Sequence, residues 1–408
     1  MTASGSNKSD HTVHMSRRLS LIALVLVVLA AACSGEAAPE TTLAPTTSTT
    51  STTIPTTTTT TTPLVVENAP EDLAAVVEAF YDYASGVSTA TPAAPEPVVA
   101  GITPSEADTP RSGTASLGNF LGQGVAVIEM AEDTFLAVDD GSGWRIVGGN
   151  WPSLSLPAYY GPTPRIVAAI GSDARPGEQA DQTRADSIHF IGLDGSGAGG
   201  VVGLPRDSYV PIPGHGRSKV TNSLSMGGPD TLMATLTDLT ALPLEGYVLT
   251  GFAGFQSLAG SVLGGIDVEV PFSINDRWAK ASLQAGQQIL DGAQALSFAR
   301  ARKTVPNGDF TRSEHQGMML VAAAKMVKGM GISAVPGLME ASEPYLFTNL
   351  SPEQILTFSA LAIATDLDSM PNVVAPGSPG TAGSASVVYL ADSAVELWTD
   401  LADGRLGS

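Results

Sequence analysis

The sequence predicts a layered α/β domain, and two features carry that prediction. Short apolar runs at residues 166–170, 187–193 and 200–204 are each bounded by glycine, proline or charge, as buried strands are. Beyond them, segments with helical spacing alternate with further strand-like runs, at 247–250 and 266–271 for example. Strands that alternate with helices are typical of an α/β layered domain.

Three pairs of charged residues stand where those apolar runs begin or end. They are Asp173 with Arg175, Arg184 with Asp186, and Arg206 with Asp207. In open α/β sheets, ligands bind in the crevice beside strand ends. Aspartate offers hard oxygen ligands that suit magnesium, and arginine offers planar forks that suit phosphate oxygens. The pattern therefore predicts a metal ion together with a polyanionic phosphate.

The composition excludes some partners and indicates a local anion site. With 408 residues, 43% of them hydrophobic, the chain has room for more than one domain and a sizeable core. A net charge of −20 argues against nucleic acid as a partner. Eleven of the twenty Lys and Arg residues lie between Arg175 and Arg312. This concentration indicates an anion site, although ordinary surface charge is the alternative.

The N-terminus predicts export. Arg17 and Arg18 precede about fourteen mostly apolar residues, which is short for a spanning helix. The run ends in Ala30-Ala31-Ala32-Cys33, which resembles a lipoprotein lipobox, and Cys33 is the single cysteine. We predict that residues 1–33 are a lipoprotein signal peptide whose Cys33 becomes acylated; an uncleaved signal anchor is the alternative. Either places the body of the protein outside the cytoplasmic membrane.

Two segments separate this signal from the α/β domain. Residues 34–66 are rich in Thr and Pro and cannot bury enough apolar surface to fold, so we expect a disordered tether. Residues 67–160 predict a small α+β accessory module, or an N-terminal elaboration of the main domain. We expect its elements to be a helix at 70–83, a loop at 88–110 and strands at 124–130, 134–138 and 143–147.

The main domain, at residues 161–408, is expected to continue in α/β style. We expect a helix from 228 to 240, another at 252–263, and a helix that starts at Asp291. For Arg300 and Arg302 to reach one ligand, this last helix should end near Ala299, because residues two apart share a side only in an extended chain. In a helix from 311 to 330, Arg312 and Gln316 are four residues apart and share a face. A helix at 353–362, a strand at 386–390 and a final helix complete the chain.

Several short motifs, taken in order, resemble the LytR-CpsA-Psr family from about Arg165 to the C-terminus. These motifs are Gly171-Ser172-Asp173-Ala174-Arg175, Arg184-Ala185-Asp186-Ser187, Pro205-Arg206-Asp207, Lys219-Val220-Thr221, Leu263-Gly264-Gly265, Leu290-Asp291-Gly292-Ala293-Gln294-Ala295-Leu296, Arg300-Ala301-Arg302 and Gly308-Asp309-Phe310-Thr311-Arg312. Each is weak alone, but their shared order and spacing are specific.

The resemblance implies a fold and an activity. The fold would be a three-layer α/β/α sandwich with a mixed central sheet and a lipid-accommodating pocket. Members of the family are extracytoplasmic phosphotransferases that move glycopolymers from polyprenyl-pyrophosphate carriers to a hydroxyl of peptidoglycan. The implied partners are therefore the lipid-linked glycan, peptidoglycan and the membrane that the lipid anchor reaches.

The resemblance also implies residue roles. Asp173 and Asp186 would hold Mg²⁺. The pyrophosphate would be gripped by Arg184, Arg206, Arg300, Arg302, Arg312 and Gln316, with Arg175 close by. Among these, the catalytic roles fall to Arg206, Arg300, Arg302 and Asp186, and Lys219 would contact substrate. The chain departs from the family where His315 precedes Gln316, since Arg is common there; this could soften the anion grip.

Some alternatives stay open. The acceptor hydroxyl could lose its proton to Asp207 or Asp186, although Asp207 is more simply explained as paired with a nearby basic group. Arg312 could pair structurally with Asp309 or Glu314. A pyrophosphatase that acts on the same carrier would release free glycan phosphate instead of a conjugate. A non-catalytic binder of anionic lipid or wall polymer would show no Mg²⁺-dependent turnover.

Overall fold

The structure is a computed structural model that describes residues 63–105, 108–175 and 177–407. The predicted signal peptide with Cys33, and the predicted tether up to residue 62, lie outside the described residues. Within the described ranges, no single helix has the length and hydropathy of a membrane span. One bent pair, Asp309–Met330 with Ile332–Tyr345 at 104°, meets that criterion by combined length and composition only.

The first part of the described chain forms a six-stranded sheet with two helices. Its elements are β1 (Val65–Glu67), α1 (Glu71–Ala84), α2 (Glu96–Gly101), β2 (Ser112–Phe120), β3 (Gln123–Met130), β4 (Asp133–Asp139), β5 (Trp144–Trp151) and β6 (Leu156–Tyr159). The strands follow chain order across the sheet, and only β1 pairs in parallel. The predicted helix and three strands are confirmed as α1, β3, β4 and β5. The helix α2 lies inside the stretch that was wrongly expected to be loop.

Helix α1 closes one face of this sheet through aromatic packing. Phe80 stacks on Trp151 with ring centroids 5.2 Å apart, and Phe135 meets both rings edge-on. Buried Asp133 accepts a hydrogen bond from the Tyr81 hydroxyl at 2.7 Å and one from the Ser153 backbone N–H at 2.9 Å. The buried carboxylate of this core is thus satisfied by neighbouring donors, as stable interiors require.

The second part of the chain alternates strands with helices. It contains β7 (Arg165–Ser172), β8 (Ala185–Leu193), β9 (Gly199–Gly203), β10 (Tyr209–Ile212), β11 (Gly216–Lys219), α3 (Asn222–Thr240), β12 (Leu244–Thr250), α4 (Phe252–Ser257), β13 (Ile266–Val270), β14 (Ile274–Asp276), β15 (Ala281–Leu283), β16 (Gly286–Leu290), α5 (Gly292–Arg300), α6 (Asp309–Met330), α7 (Val335–Ser342), β17 (Phe347–Thr348), α8 (Pro352–Ala364), β18 (Asn372–Val374), β19 (Gly377–Ala382), β20 (Ala385–Leu390) and α9 (Ser393–Leu401). Helix α4 continues as a π-helical turn at Leu258–Val262. Gly227 and Gly228 break α3, which explains why its helical pattern was predicted to start there.

The central sheet has six strands in the order β17-β12-β7-β8-β9-β18. Strand β12 is parallel to β7, and β18 is parallel to β9, whereas β8 runs antiparallel between β7 and β9. The sheet is therefore mixed, as the fold prediction stated. One edge consequently collects the ends of β7, β9 and β12 together with the start of β8, where the predicted charged residues stand.

Helices cover both faces of the central sheet. On one face α3 and α9 pack on the strands, and Trp398 meets Phe190 edge-on at 5.5 Å. On the other face α6 lies directly against β8 and β9. Gly203 permits this approach, because a Cβ there would stand 2.4 Å from Ser313 Oγ. Buried His189 bonds through Nε2 to the Ser313 carbonyl at 2.9 Å, which ties α6 to the sheet.

Candidate functional site

A cavity of about 560 Å³ opens beside the charged edge of the central sheet. Its interior is apolar and includes the buried residues Ala259, Met319 and Met339. Its polar lining contains six of the residues that the sequence selected, namely Asp186, Arg206, Arg300, Arg302, Arg312 and Gln316. An apolar chamber with convergent polar groups is the usual form of a small-molecule site.

The end of α5 brings two of the arginines to this cavity. A capping box starts the helix, because the Asp291 carboxylate accepts from the Gln294 backbone N–H and the Gln294 side chain binds back. The helix ends at Arg300, and Ala301 is extended with φ −63° and ψ 123°. The predicted end near Ala299 is thus correct to one residue, and both Arg300 and Arg302 line the cavity. The Arg300 guanidinium also lies 4.6 Å from the ring centroid of Phe252.

Asp309 holds three of the cavity arginines together. It is the first residue of α6, and it accepts hydrogen bonds from Arg312 at 2.9 Å and from Arg302 at 3.3 Å. The Nε of Arg206 lies 3.9 Å from the same carboxylate. From the sequence, Asp309 is expected only as part of a motif and as a candidate structural partner of Arg312. An acid in the first turn of a helix, three residues before a predicted anion-binding arginine, was the available signal.

The arginines differ in how much of their hydrogen-bonding capacity the protein uses. Arg206 bonds through Nη1 to Asp186, and Arg312 through Nη2 to Asp309. Within the described part of the chain, the buried Nε of Arg206 and the buried Nε of Arg312 have no acceptor. Buried donors of this kind are rare, because the missing bond costs free energy. They are therefore available to a ligand with acceptor oxygens.

Burial and neighbouring charges shift the pKa values of two cavity arginines in opposite directions. Burial alone would lower the pKa of Arg206, but Asp186, with Asp309 and Asp207 nearby, raises it above the ordinary value. Burial lowers the pKa of Arg312 to about 10, which Asp309 opposes and the charge of Arg206 reinforces. Both guanidinium groups stay charged near neutral pH, so the mouth of the cavity is electropositive in spite of the acidic chain.

The remaining predicted residues lie beside the cavity and do not belong to its described lining. Asp173 accepts from the backbone N–H of Arg184 at 3.0 Å and from its guanidinium. The side chain of Arg184 is more than half exposed, and Arg175 is also exposed. Lys219 pairs with Asp207 at 3.0 Å, the structural pairing that the sequence favoured for Asp207.

The described carboxylates near the cavity do not form a metal site by themselves, and both oxygens of Asp173 accept hydrogen bonds from Arg184. In the described ranges no group of three or more His, Cys, Asp or Glu residues is placed to hold a metal. Mg²⁺ often uses only one or two carboxylates and takes further oxygens from substrate phosphates. Asp186 lines the cavity, and no described residue bonds to its Oδ2. Asp173 directly follows β7, the strand that pairs with β8, and its backbone N–H donates to the Arg184 carbonyl.

His315 lies away from the anion site, in the core. It is fully buried, and its ring stacks on Phe298 with centroids 4.3 Å apart. Its neighbour Gln316 lines the cavity and donates to the Ala299 carbonyl at 3.0 Å. The departure from the family at His315 therefore concerns packing more directly than the grip on an anion.

Comparison with known proteins identifies relatives of the second part of the chain. The LytR_cpsA_psr family model matches residues 161–403. A polyisoprenyl-teichoic acid–peptidoglycan teichoic acid transferase, TagU of Bacillus mycoides, is 32% identical over 200 residues, which are 47% of this chain and 62% of TagU. TagT of Bacillus subtilis, which carries the same activity name, is 32% identical over 179 residues, or 42% of this chain and 54% of TagT. The chain thus spans less than two thirds of the length of these relatives.

Solved structures agree on the fold. The crystal structure of Bacillus subtilis TagV has a TM-score of 0.52 at 24% identity and covers 60% of this chain and 99% of TagV. The structure of protein gbs0355 from Streptococcus agalactiae has a TM-score of 0.53 at 20% identity and covers 60% of this chain and 90% of that protein. The family model itself covers more than half of the sequence. The protein therefore belongs to the LytR_cpsA_psr family.

Proposed function

We propose that this protein is an extracytoplasmic phosphotransferase that moves a glycopolymer from a polyprenyl-pyrophosphate carrier to peptidoglycan. The activity names of its relatives TagU and TagT support this proposal. In the same proposal, acylated Cys33 anchors the chain to the outer face of the membrane, residues 34–66 tether it, residues 67–160 form an accessory module and residues 161–408 are the transferase domain.

The observation that carries the proposal is the pairing of an apolar chamber with an arginine-lined mouth. The chamber of about 560 Å³ offers an apolar environment to part of a polyprenyl chain. At its mouth, Arg206, Arg300, Arg302 and Arg312 surround a space where a pyrophosphate would find donors. The two buried Nε atoms without a described acceptor suit phosphate oxygens, because charge-assisted bonds to phosphate are strong.

The proposed reaction exchanges one phosphorus–oxygen bond for another. A hydroxyl of peptidoglycan attacks the phosphorus that carries the glycan, the bond to the bridging oxygen breaks, and polyprenyl phosphate leaves with the electron pair. The hydroxyl proton is released. Negative charge develops on the bridging and non-bridging oxygens, where the arginines stand in advance. Catalysis of phosphoryl transfer consists mainly of such positioning and electrostatic stabilisation.

In this proposal Asp186 takes the proton of the hydroxyl and contributes to a metal site. Of the two candidate bases, Asp186 lines the cavity, whereas Asp207 is engaged by Lys219 at 3.0 Å. Asp173 and Asp186 would hold Mg²⁺ together with substrate oxygens, and the ion would supply charge neutralisation at the pyrophosphate. Arg206 holds Asp186 in place through its hydrogen bond, and its buried Nε has no acceptor among the described residues.

Replacing Arg206 tests this function. We expect Arg206→Ala to lower transfer about 10³-fold, the scale of a lost arginine at a transferring phosphate. The measurement is the yield of phosphodiester-linked conjugate from a polyprenyl-pyrophosphate glycan, peptidoglycan oligomers and Mg²⁺. Arg145→Ala is the matched control, because Arg145 also forms an ion pair, with Glu353, but lies in the first sheet.

Three outcomes would contradict the proposal. Full activity of the folded Arg206→Ala protein would remove the arginine from the reaction. Free glycan phosphate as the sole product of the unsubstituted protein would indicate a pyrophosphatase. Binding of the lipid with no turnover at any Mg²⁺ concentration would indicate a non-catalytic binder.

A further inference from the structure

An exposed tryptophan stands at the mouth of the cavity. Trp278 lies in the connection between β14 and β15, and 57% of its surface is exposed although it lines the same cavity as Arg300 and Arg302. Trp151 and Trp398 are buried, and Trp144 is partly buried. Trp278 differs from the other exposed large apolar residues of the described chain because it also lines the cavity that holds the arginines.

A buried carboxylate fixes the main chain beneath this tryptophan. Asp276 is fully buried and accepts hydrogen bonds from four backbone N–H groups. Two belong to the connection, Trp278 at 3.0 Å and Ala279 at 3.2 Å, and two follow α5, Arg302 at 3.0 Å and Lys303 at 2.8 Å. One side chain thus joins the segment that carries the tryptophan to the segment that carries the arginines. Local sequence does not indicate this role for Asp276, because two of its partners, Arg302 and Lys303, are distant in the chain.

The ring of Trp278 is oriented as well as placed. The guanidinium carbon of Arg277 lies 4.3 Å from its ring centroid and covers one face. With 57% of the residue exposed, much of the indole stays accessible in spite of this contact. The indole therefore has both a stabilising neighbour and accessible surface on which a ligand ring can stack.

The lining of the cavity shows which part of a donor would pass this ring. Its apolar members, such as Met319 and Met339, are buried, whereas Trp278 and Lys303 are exposed. A polyprenyl chain would therefore lie inward and the pyrophosphate at the arginines. The third portion of the donor, its glycan, must leave outward across the rim. The first sugar is then the group that comes nearest to Trp278.

We propose that the exposed indole of Trp278 binds the pyranose ring that is joined to the pyrophosphate of the donor lipid. This inference rests on the proposed function and names one subsite of it. The C–H bonds on the apolar face of a pyranose are weakly positive and match the negative face of an aromatic ring. Trp278 is thus a residue for donor specificity, separate from the arginines that grip the phosphates.

Paired lipid probes test this subsite. Purified protein in detergent is titrated with polyprenyl pyrophosphate and with polyprenyl-pyrophosphate N-acetylglucosamine. We expect Trp278→Ala to weaken binding of the sugar-bearing lipid about tenfold, and Trp278→Phe to weaken it less. Affinity for the sugar-free lipid should change by less than about twofold in both variants, because this lipid lacks the ring that Trp278 is proposed to contact. Tyr389→Ala is the matched control, since Tyr389 is an exposed aromatic residue in the β19–β20 hairpin.

Each outcome decides between the two proposals. If Trp278→Ala weakens both lipids equally, or neither, the sugar subsite is overturned while the proposed function stands. If the unsubstituted protein binds neither lipid, the proposed function and the subsite fall together. A third arm uses phosphatidylglycerol vesicles without glycolipid. Loss of vesicle binding in Trp278→Ala would overturn the subsite in favour of a membrane contact.

Discussion

Buried arginines lie at opposite ends of the central sheet, and their partners differ. Arg165 begins β7, and its side chain is only 3% exposed. It forms a bidentate pair with Glu245 at 2.7 and 2.8 Å, and its remaining bonds reach the Tyr160 and Gln354 carbonyls and the Thr357 hydroxyl. Every nitrogen of this guanidinium has an acceptor.

At the opposite edge, Arg206 and Arg312 lie close together, and part of their hydrogen-bonding capacity is unused. Asp186 and Asp309 each accept from one of them, but in the described part of the molecule neither Nε has an acceptor. The charge of Arg206 also disfavours the charged form of Arg312. The contrast teaches that burial alone does not mark a functional arginine. We expect an open donor within a like-charged group to be the better indicator, because a ligand with acceptor oxygens would satisfy it.

The largest expected effect concerns Arg312, whose Nε has no acceptor among the described residues. Arg312→Met should lower transfer about 10³-fold, because it removes a positioned charge from the transferring phosphate. The free energy of unfolding should change by less than about 1 kcal/mol, since loss of the Asp309 pair is offset by relief of an unsatisfied donor and of repulsion. Turnover and urea unfolding of one preparation measure both quantities. A broken buried ion pair costs about 3 kcal/mol or more. A variant that keeps its activity but loses this much stability would show that Arg312 has a structural role and no role in transfer.

The second prediction concerns Arg165, whose guanidinium nitrogens all have acceptors. Arg165→Met should lower the free energy of unfolding by about 3 kcal/mol, the lower end for a broken buried pair, because Glu245 is partly exposed. Turnover per folded molecule should stay near that of the unsubstituted protein, since Arg165 stands at the far edge of the sheet. Urea unfolding and an activity assay at low temperature provide the measurement, and Arg312→Met serves as the matched comparison. Unchanged stability with lost turnover would mean that the two ends are not distinct.

Much of the central sheet could be predicted because its strands are short apolar runs between breakers. Strand β2 at Ser112–Phe120 escaped prediction, since its sequence SGTASLGNF has no such run and its partners β1 and β3 define it. Helix α2 escaped for a similar reason, as its six residues begin after Pro95 in a Pro-rich stretch. Local pattern is weak where tertiary pairing decides the structure.

The site was predictable in its residue types and less so in its contacts. The sequence selected Arg206, Arg300 and Arg302, and the sheet topology brings all three to one cavity. It did not select Asp276 or Asp309 as site residues, although these carboxylates hold the arginine segments in place. The role of Asp276, for example, depends on a partner 27 residues away. Such contacts come from the assembled fold, whereas the charge of a motif can be read directly.

The smallest expected effect extends the comparison to buried histidine, which can give up its charge where arginine cannot. Burial lowers the pKa of His315 to about 4 from an ordinary value of 6.5. Between these values the unfolded chain binds a proton that the folded protein excludes. The stability associated with neutral His315 is therefore complete above pH 6.5 and is lost as the pH falls toward 4. At pH 5 the loss is about 2 kcal/mol for this residue.

His315→Phe should remove this share of the acid sensitivity and keep the ring stacked on Phe298, 4.3 Å away in the native protein. Urea unfolding at pH 7 and pH 5 measures the effect as the difference between the two free energies. His189, whose pKa burial also lowers to about 4, stays in the variant, so some acid sensitivity should persist. Equal pH dependence in both proteins would show that His315 accepts its proton in the folded state, and that the core around Phe298 opens to solvent.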